Sequence, residues 1–535
     1  MVSFEYKVSV PGKVSAAALV AAILLFFLAG NFVYPYFEDT ALYAAIARRI
    51  LHGATLYRDV FDHKTPGIFL LESIRLTLLG YSSLSARLFE TAGVVLLAGL
   101  AVFALERRGY KGELLLKCSV LASSLGLFYS GVFWGLPERG QVEIYQAIFI
   151  SASFCCYVLS ERKENIVYPV AVGICIGWVM WLKPTFLPAV FVYLLAYLWR
   201  NRSGGRAWLC YLVGVSITSI FMLLFLFVCG DVDGFVWLLT AHHEAYLHSV
   251  NSTNLETLLR LLDFVSLFPA YKYAGFIVVL CLISVLFGYR NSRFLRQNLI
   301  AFLLFLTAVY AYMLSGYGFN YHSIPVVCSI FILIFSVLVN GEAEGSVRFH
   351  KIFGIVTLFV IGAAVLGSDK FSGEQRMAIA MMVGDSSLKE AYHVMGAEMH
   401  YYRYDDEEEA AHYLNDRYGN QYKFYILGLG AVTYLEANGE NASRHLVTIF
   451  GQMPTYSLAE PIMSEIRADL AKEVPQAILV RINDQFPWFG VPASSYDRML
   501  SDSILSSWVE KNYYLRGKLN SSFIAYERKP IGAKP

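Results

Sequence analysis

The sequence predicts an α-helical polytopic membrane protein with a folded α/β domain at its C-terminal end, on the extracytoplasmic side. Three observations predict it. Of 535 residues, 56% are hydrophobic and only 16% are charged, and the mean hydropathy is +0.49, which is more apolar than a water-soluble domain of this length. Apolar runs of roughly 17 to 22 residues, each long enough for one crossing, recur as far as residue 367. Beyond that they stop, and a mixed-charge sequence with helix and strand periodicities takes over.

The crossings are expected at 16–34, 84–105, 114–134, 141–160, 166–182, 184–199, 207–228, 273–288, 298–315, 322–340 and 350–367, about eleven in all. The first follows Lys7 and Lys13 and reads as an uncleaved signal anchor. Residues 67–80 are apolar but short and carry Glu72 and Arg75, so a helix lying at the interface is expected there. Basic residues set the direction, because short Lys/Arg-rich loops stay in the cytoplasm. With the N-terminus inside, Arg107, Arg108, Lys111 and Lys117, then Arg162 and Lys163, then Arg200, Arg202 and Arg206, then Arg290, Arg293 and Arg296, then Arg348 and Lys351 fall on inner loops. An odd number of spans puts the tail outside. The expected division is therefore 1–367 for the membrane domain, with a large first outer loop at 35–83, and 368–535 for a soluble α/β domain. In that domain helices are expected near 398–417, 456–473 and 494–512, and strands at Lys423–Leu427, Gln476–Ile482 and Ser522–Tyr526.

The 43 basic and 42 acidic residues nearly cancel, so no global field recommends nucleic acid as a partner. The eight cysteines lie in or beside apolar segments, and no disulfide framework or zinc ligand set is legible. His243 and His248 are five positions apart rather than four, so no zincin face forms. Gly428-Leu429-Gly430 follows a strand but lacks the third glycine of a dinucleotide loop and reads as a turn.

The outer loop 35–83 breaks the charge rule: Arg48, Arg49, Arg58, Lys64 and Arg75 alternate there with Glu38, Asp39, Asp59, Asp62 and Glu72. Residues 43–51 have helical periodicity and Gly53 suits the C-terminal stop. Glu38 and Asp39 then head a short helix whose dipole favours an ionised carboxylate. Such a carboxylate suits a base, and it equally suits a helix cap. In Asp59-Val60-Phe61-Asp62-His63-Lys64-Thr65-Pro66-Gly67, Pro66 and Gly67 are expected to fix a turn presenting Asp62, His63 and Lys64 to the membrane surface. Lys64 there could meet a lipid phosphate or simply snorkel. Lys183, before Pro184, and His322, after Tyr321, lie at outer ends of spans, where an ionisable residue is a functional candidate by default.

Taken together, Phe37-Glu38-Asp39-Thr40-Ala41-Leu42-Tyr43, Ile46 through Gly53, Leu56-Tyr57-Arg58-Asp59 and Phe61 through Gly67 resemble the first loop of the C-type membrane glycosyltransferases. The branch most similar is that of the protein O-mannosyltransferases and the lipid A aminoarabinose transferase. Ser85-Ala86-Arg87-Leu88, Glu143, Lys183-Pro184 and Tyr321-His322 with Pro325 extend the resemblance over nearly all the membrane part. It implies a hexosyl- or pentosyltransferase that moves a sugar from a polyprenyl-phosphate donor to a glycan, lipid or protein acceptor outside the cytoplasm. It implies Asp39 as catalytic base, Lys64 and Lys183 on the donor phosphate, and His322 near the donor head group. Glu38, Asp62, His63, Arg58 and Tyr321 are expected to support them. The family often has Asp-Glu where this chain has Asp39-Thr40, the second acid here being Glu38. Leu42 replaces an arginine of the aminoarabinose enzyme, so that sugar is not supported. The expected chemistry is a single inverting displacement with lysines offsetting phosphate charge. No cofactor is expected; the carboxylates are too scattered to indicate a divalent metal site. The rival reading is a secondary transporter, which would place its polar groups near the bilayer midplane between repeats; no internal repeat is visible.

Overall fold

A computed structural model of the protein describes residues 10–107, 114–130, 139–161, 165–200, 206–249, 253, 255–259, 269–288, 292–315, 319–339, 347–397, 402–486 and 490–530. Of the expected inner-loop cations, Arg108, Lys111, Arg162, Lys163, Arg202 and Arg290 lie outside these residues. Two compact units are present. Met1–Val33, Arg87–Met222 and Ser252–Ser386 make the first; Tyr34–Ala86, Leu223–Asn251 and Ser387–Pro535 make the second. The expected division at 367/368 is sequential, whereas these units interleave along the chain. Residues 34–86 and 223–251 belong with the C-terminal sheet because their backbone and side chains bond to it, a pairing that no local pattern announces.

The helices run in order α1 (Val10–Leu28), α2 (Glu38–Leu51), α3 (Pro66–Leu79), α4 (Ser83–Arg107), α5 (Leu114–Tyr129), α6 (Val142–Ser160), α7 (Val167–Leu182), α8 (Leu187–Arg200) and α9 (Ala207–Cys229). After two short helical segments come α10 (Pro269–Gly288), α11 (Ser292–Met313), α12 (Ile324–Val339), α13 (Val347–Leu366) and α14 (Asp369–Val383). Over its described residues, each segment read as a crossing is mainly helical. Among the described residues, six helices can by length and hydropathy cross a bilayer alone: Ser15–Val33, Ser83–Arg107, Val142–Ser160, Ala207–Cys229, Leu295–Met313 and Asn320–Val339. Lys351–Leu366 and Asp369–Val383 form a further pair bent by 78°, and Leu114–Tyr129, Val167–Leu182, Pro184–Arg200 and Lys272–Ile283 are apolar but short of a full span. The chain is an integral, multi-pass membrane protein; eleven crossings remains an expectation.

Burial sorts the helices of the first unit. The Asn320–Val339 window is 100% buried and makes the centre, while that of Ala207–Cys229 is only 22% buried. Exposed Phe191, Leu195, Ile220, Phe221 and Phe359 coat the outside, as expected where lipid rather than water is the solvent. On α7, Gly173 and Gly177 face Gly214 and Thr218 of α9. A Cβ on Gly173 would lie 2.1 Å from the Tyr211 carbonyl oxygen, and one on Gly214 2.1 Å from that of Val170. Thr218 Oγ1 donates to the Ile174 carbonyl at 3.2 Å. Small residues spaced by four let two backbones touch, the usual source of helix adhesion in lipid.

The second unit carries a five-stranded sheet in the order β2-β1-β3-β5-β4. Its strands are β1 (Lys423–Leu427), β2 (Glu440–Asn441), β3 (Ala477–Arg481), β4 (Tyr513–Lys518) and β5 (Phe523–Arg528). β1 runs parallel to β2 and β3, and β5 antiparallel to β3 and β4. β1, β3 and β5 and the helices α16 (Tyr404–Tyr418) and α18 (Ala459–Glu473) stand close to their expected places; the short α15 (Leu388–Gly396) and α17 (Ala431–Glu436) were not anticipated. The expected helix 494–512 is broken into α19 (Ser495–Ser501) and α20 (Ser503–Asn512) by Asp502, whose carboxylate caps the second piece at Ile504 and Leu505 N–H. β4 was not expected either: with Tyr514, Leu515, Arg516 and Lys518 all exposed, it lacks the alternation that marks a strand.

Gly173→Leu or Gly214→Leu must part α7 from α9, and overpacking of this kind costs about 1–3 kcal/mol. Each variant is expected to melt lower than wild type in detergent; an unchanged melting temperature would show that the two helices do not rely on this contact.

Candidate functional site

The sequence-selected residues fall into two clusters, one in each unit. The first is built on the start of α2. Phe37 is extended at φ −114°, ψ 159°, and the Thr40 hydroxyl accepts its N–H at 3.2 Å and donates to its carbonyl at 2.8 Å. Thr40 thus closes the helix start on Phe37. Gly53 follows the helix at φ +95°, as its place in the sequence suggested.

Glu38 departs from expectation. The helix dipole favours a carboxylate by roughly 0.3–1 kcal/mol, but burial opposes it more strongly: with help from the neighbouring Asp39 charge it raises the Glu38 carboxyl well above the ordinary value, although Arg481 pulls the other way. Its Oε1 is buried without a hydrogen-bond partner among the described residues.

The loop that follows is stitched down rather than free. Leu56 N–H bonds to Cys229 O at 2.8 Å, Asp231 N–H to Leu56 O at 2.9 Å and Phe61 N–H to Arg444 O at 2.9 Å. Tyr57, at the unusual φ of +71°, donates its hydroxyl to the Lys64 carbonyl at 2.9 Å. Pro66 and Gly67 do not make the expected turn: Thr65 is the N-cap and Pro66 the first residue of α3, where its missing N–H costs nothing. Nor is Asp62 presented outward. It is buried, and its Oδ1 accepts the Lys64 N–H at 2.8 Å. Burial pushes its carboxyl up to about 6 against the pull of Lys64, with Asp39 adding to the rise, so Asp39, Asp62 and Lys64 share one field. His63 lies 3.6 Å from Asp62 Oδ1 and packs edge-on to Phe450 at 5.0 Å. Arg58 stays apart: its side chain is 64% exposed and pairs with its neighbour Asp59 at 3.0 Å.

The second cluster, in the first unit, is centred on Glu143 in the first turn of α6. Proline disfavours helix in the residue before it, so Lys183 ends α7 extended at φ −160°. Gln146 Nε2 adds bonds to the carbonyls of Val179 at 3.1 Å and Lys183 at 3.3 Å, which also accept the backbone N–H groups of Lys183 and Phe186. Lys183 Nζ reaches Glu143 Oε1 at 2.7 Å. His322, on the 3-10 turn Asn320–Ser323, brings Nε2 to 3.8 Å from the same oxygen, with the Tyr321 ring 4.3 Å away edge-on. Glu143 is 2% exposed. As the only acid in an apolar helix it was visible in the sequence, yet its role as the shared partner of a lysine and a histidine was not. Directly after Lys183 opens an apolar groove of about 860 Å³ along α8 and α11, lined by Pro184, Leu187, Phe191, Leu195, Leu303 and Tyr310 among others.

Sequence reasoning also missed Arg481, Glu407 and Asp484 of the second unit; the one signal was an arginine ending the otherwise apolar strand Ala477–Arg481. Among the described residues no three His, Cys, Asp or Glu side chains gather as a metal-holding group.

No protein-family model matches the chain, and no curated protein matches it. Solved structures do. ArnT from Cupriavidus metallidurans bound to undecaprenyl phosphate matches with a TM-score of 0.57 at 13% identity, covering 98% of this chain and 100% of that one. The same protein in the apo state matches at 0.58, again at 13% identity, over 98% and 99%. The archaeal oligosaccharyltransferase AglB from Archaeoglobus fulgidus, in complex with an inhibitory peptide and a dolichol-phosphate, gives 0.43 at 13% identity over 98% and 75%. The fold is thus the C-type glycosyltransferase fold that the loop motif resembles.

Asp62 holds a proton up to about pH 6 when folded against an ordinary value of 3.8. Its contribution to stability is therefore complete below the unfolded value and lost as pH rises through the folded one. Asp62→Asn keeps the acceptor for Lys64 N–H without the charge. It is expected to melt with wild type near pH 4 and above it near pH 8; a difference that does not widen with pH would contradict the burial argument.

Proposed function

We propose that the protein transfers a sugar from a polyprenyl-phosphate donor to a glycan, lipid or protein acceptor on the extracytoplasmic side of the membrane. The observation that carries this reading is the apolar groove that begins one residue beyond Lys183. From Leu187 to Trp199 it follows α8 over about 18 Å at the helical rise, with Lys183, Glu143 and His322 gathered at its head. A phosphate at the cation and a prenyl chain along the groove match that division of charged and apolar surface. The fold similarity to ArnT, solved with undecaprenyl phosphate bound, supports the same donor class. A transporter would need polar groups midway along its helices, whereas Glu143, Lys183 and His322 all stand at helix ends.

In the proposed step the acceptor hydroxyl gives its proton to the Asp39 carboxylate as its oxygen bonds to the anomeric carbon. The bond from that carbon to the phosphate oxygen breaks in the same displacement, and its electron pair leaves with the polyprenyl phosphate. Lys64, Lys183 and His322 offset the charge gathering on the phosphate, and Glu143 holds Lys183 and His322 in register. A single base and one displacement invert the anomeric configuration.

Transfer by purified protein in nanodiscs, from a panel of radiolabelled polyprenyl-phosphate sugars to envelope extract, tests this. Asp39→Asn is expected to lower transfer by about 100-fold or more while undecaprenyl phosphate still raises the melting temperature. Lys183→Met is expected to weaken that thermal protection by roughly tenfold in concentration. Wild-type transfer rates in Asp39→Asn, or no transfer from any donor, would sink the proposal.

A further inference from the structure

The second unit holds a cleft of about 340 Å³ that the proposed transfer step does not use. It lies between the tail of α2 and the β2 edge of the sheet, and Arg48, Arg49, His52, Phe424, Tyr434 and Asn441 are among the residues lining it. Its volume is at the small end of the range for small-molecule clefts. Both sides are fixed. Phe424 of β1 pairs in register with Asn441 of β2, the Ala442 N–H bonds to the Phe424 carbonyl at 2.9 Å, and Arg48 ties α2 to α17 through the carbonyls of Leu435 and Ala437.

Two polar groups of this cleft are left over once the protein's own bonds are counted. Asn441 is 8% exposed. Its Nδ2 donates to the Ser443 carbonyl, but its Oδ1 is buried with no hydrogen-bond partner among the described residues. Buried acceptors are almost always satisfied, so a donor from outside the chain is called for. Arg49 is partly buried and, among the described residues, its guanidinium makes neither a hydrogen bond nor an ion pair. The exposed Glu440 acts on it only at longer range, against the effect of lost water. A cation in the last turn of a helix complements the helix dipole, which accounts for the charge of Arg49 but not for an open guanidinium fork partly out of water. The third feature is apolar. The Tyr434 hydroxyl is used up, accepting the Ile426 N–H at 2.8 Å and donating to the Ile426 carbonyl at 3.3 Å, so Tyr434 and Phe424, with ring centroids 5.3 Å apart, give the cleft an aromatic wall.

These features ask for three things in one ligand: an acid group for the planar fork of Arg49, a hydroxyl to donate to Asn441 Oδ1, and an apolar face for the aromatic wall. An acidic sugar has all three, in its carboxylate or phosphate, its hydroxyls and the C–H face of its ring. We propose that the cleft is a binding site for an acidic saccharide, whose carboxylate or phosphate pairs with Arg49 and one of whose hydroxyls donates to Asn441 Oδ1. Asp39 and Arg49 stand at opposite ends of α2, about 15 Å apart at the helical rise, so a glycan held here by its acid group reaches along α2 towards the proposed base. The acceptor class is then an acidic glycan. That last step rests on the transferase reading; the binding itself does not.

Thermal titration of the full-length protein in detergent with glucuronate, glucose 6-phosphate, glucose, inorganic phosphate and an acidic peptide tests the binding. At least one charged sugar is expected to raise the melting temperature at a concentration about tenfold or more below that needed by glucose or inorganic phosphate, and the stronger of the two identifies the acid group. Equal protection by inorganic phosphate would mark a bare anion site, stronger protection by the peptide a protein partner, and no protection by either charged sugar a merely hydrated cleft; each overturns the proposal. In variants whose unliganded melting temperature matches wild type, Arg49→Gln is expected to weaken the charged sugar about tenfold, Arg49→Lys to recover part of that loss, and Asn441→Ala to weaken it about fivefold. Glu440→Gln, which removes the competing acid, is expected to tighten it about twofold. Unchanged affinity in both Arg49→Gln and Asn441→Ala would put the sugar elsewhere. In the transfer assay with an acidic acceptor, Arg49→Gln is expected to raise KM about tenfold and leave kcat within about twofold; a fall in kcat at unchanged KM would contradict an anchoring role. If wild type transfers nothing, the transferase reading fails while the thermal titration still decides the cleft.

Discussion

A charge taken out of water costs several kcal/mol unless a partner of opposite sign is built beside it, and both units are organised around meeting that cost. In the first, Glu143 ties the start of α6 to the end of α7 and to the turn before α12. Arg139, fully buried, bonds to Asn31 and, at 3.3 Å, to Glu374 of α14, and Glu161 meets Arg296 at 2.7 Å. In the second, Arg481 and Glu407 do the same between β3 and α16. Each pair joins segments distant in sequence, so each specifies tertiary structure; removing one partner would strand a buried charge at about 3–5 kcal/mol.

Lipid imposes the complementary rule. Backbone groups must be satisfied within each crossing segment, which is why the apolar sequence folds as helices, and adhesion between them comes from close fit, as at Gly173 and Gly214. Where α8 and α11 do not close on each other, an apolar groove remains. Its position beside Lys183, which ends an apolar helix at a proline, is what gives it chemical meaning in the proposed transfer.

The loop carrying Glu38 to Lys64 shows how rigidity is lent to a short segment. An isolated helix of 14 residues such as α2 is marginal in water, and Asp62 to Lys64 have no regular structure of their own. Backbone bonds to Cys229 and Arg444, Arg48 donating to the carbonyls of Leu435 and Ala437, and Tyr402 on Tyr36 place this segment on the sheet. In the proposed transfer a group that moves a proton has to be held within fractions of an ångström, and folded elements far away in sequence hold this loop.

Composition and apolar periodicity by themselves determined the membrane class, the place of each apolar helix and most of the C-terminal strands, because those depend on transfer free energies that are nearly local. The motif of the first loop likewise carried the resemblance to the C-type glycosyltransferases, which the fold matches. What only the tertiary structure decided are the meetings: that residues 34–86 and 223–251 belong with the sheet, that Glu143 is shared by Lys183 and His322, that Arg58 remains at the surface, and that loss of water raises the Glu38 carboxyl where the helix dipole alone would have kept it charged. These outcomes turn on which side chains lose water together, and desolvation is a property of a place in the folded molecule that no residue carries in its own sequence neighbourhood.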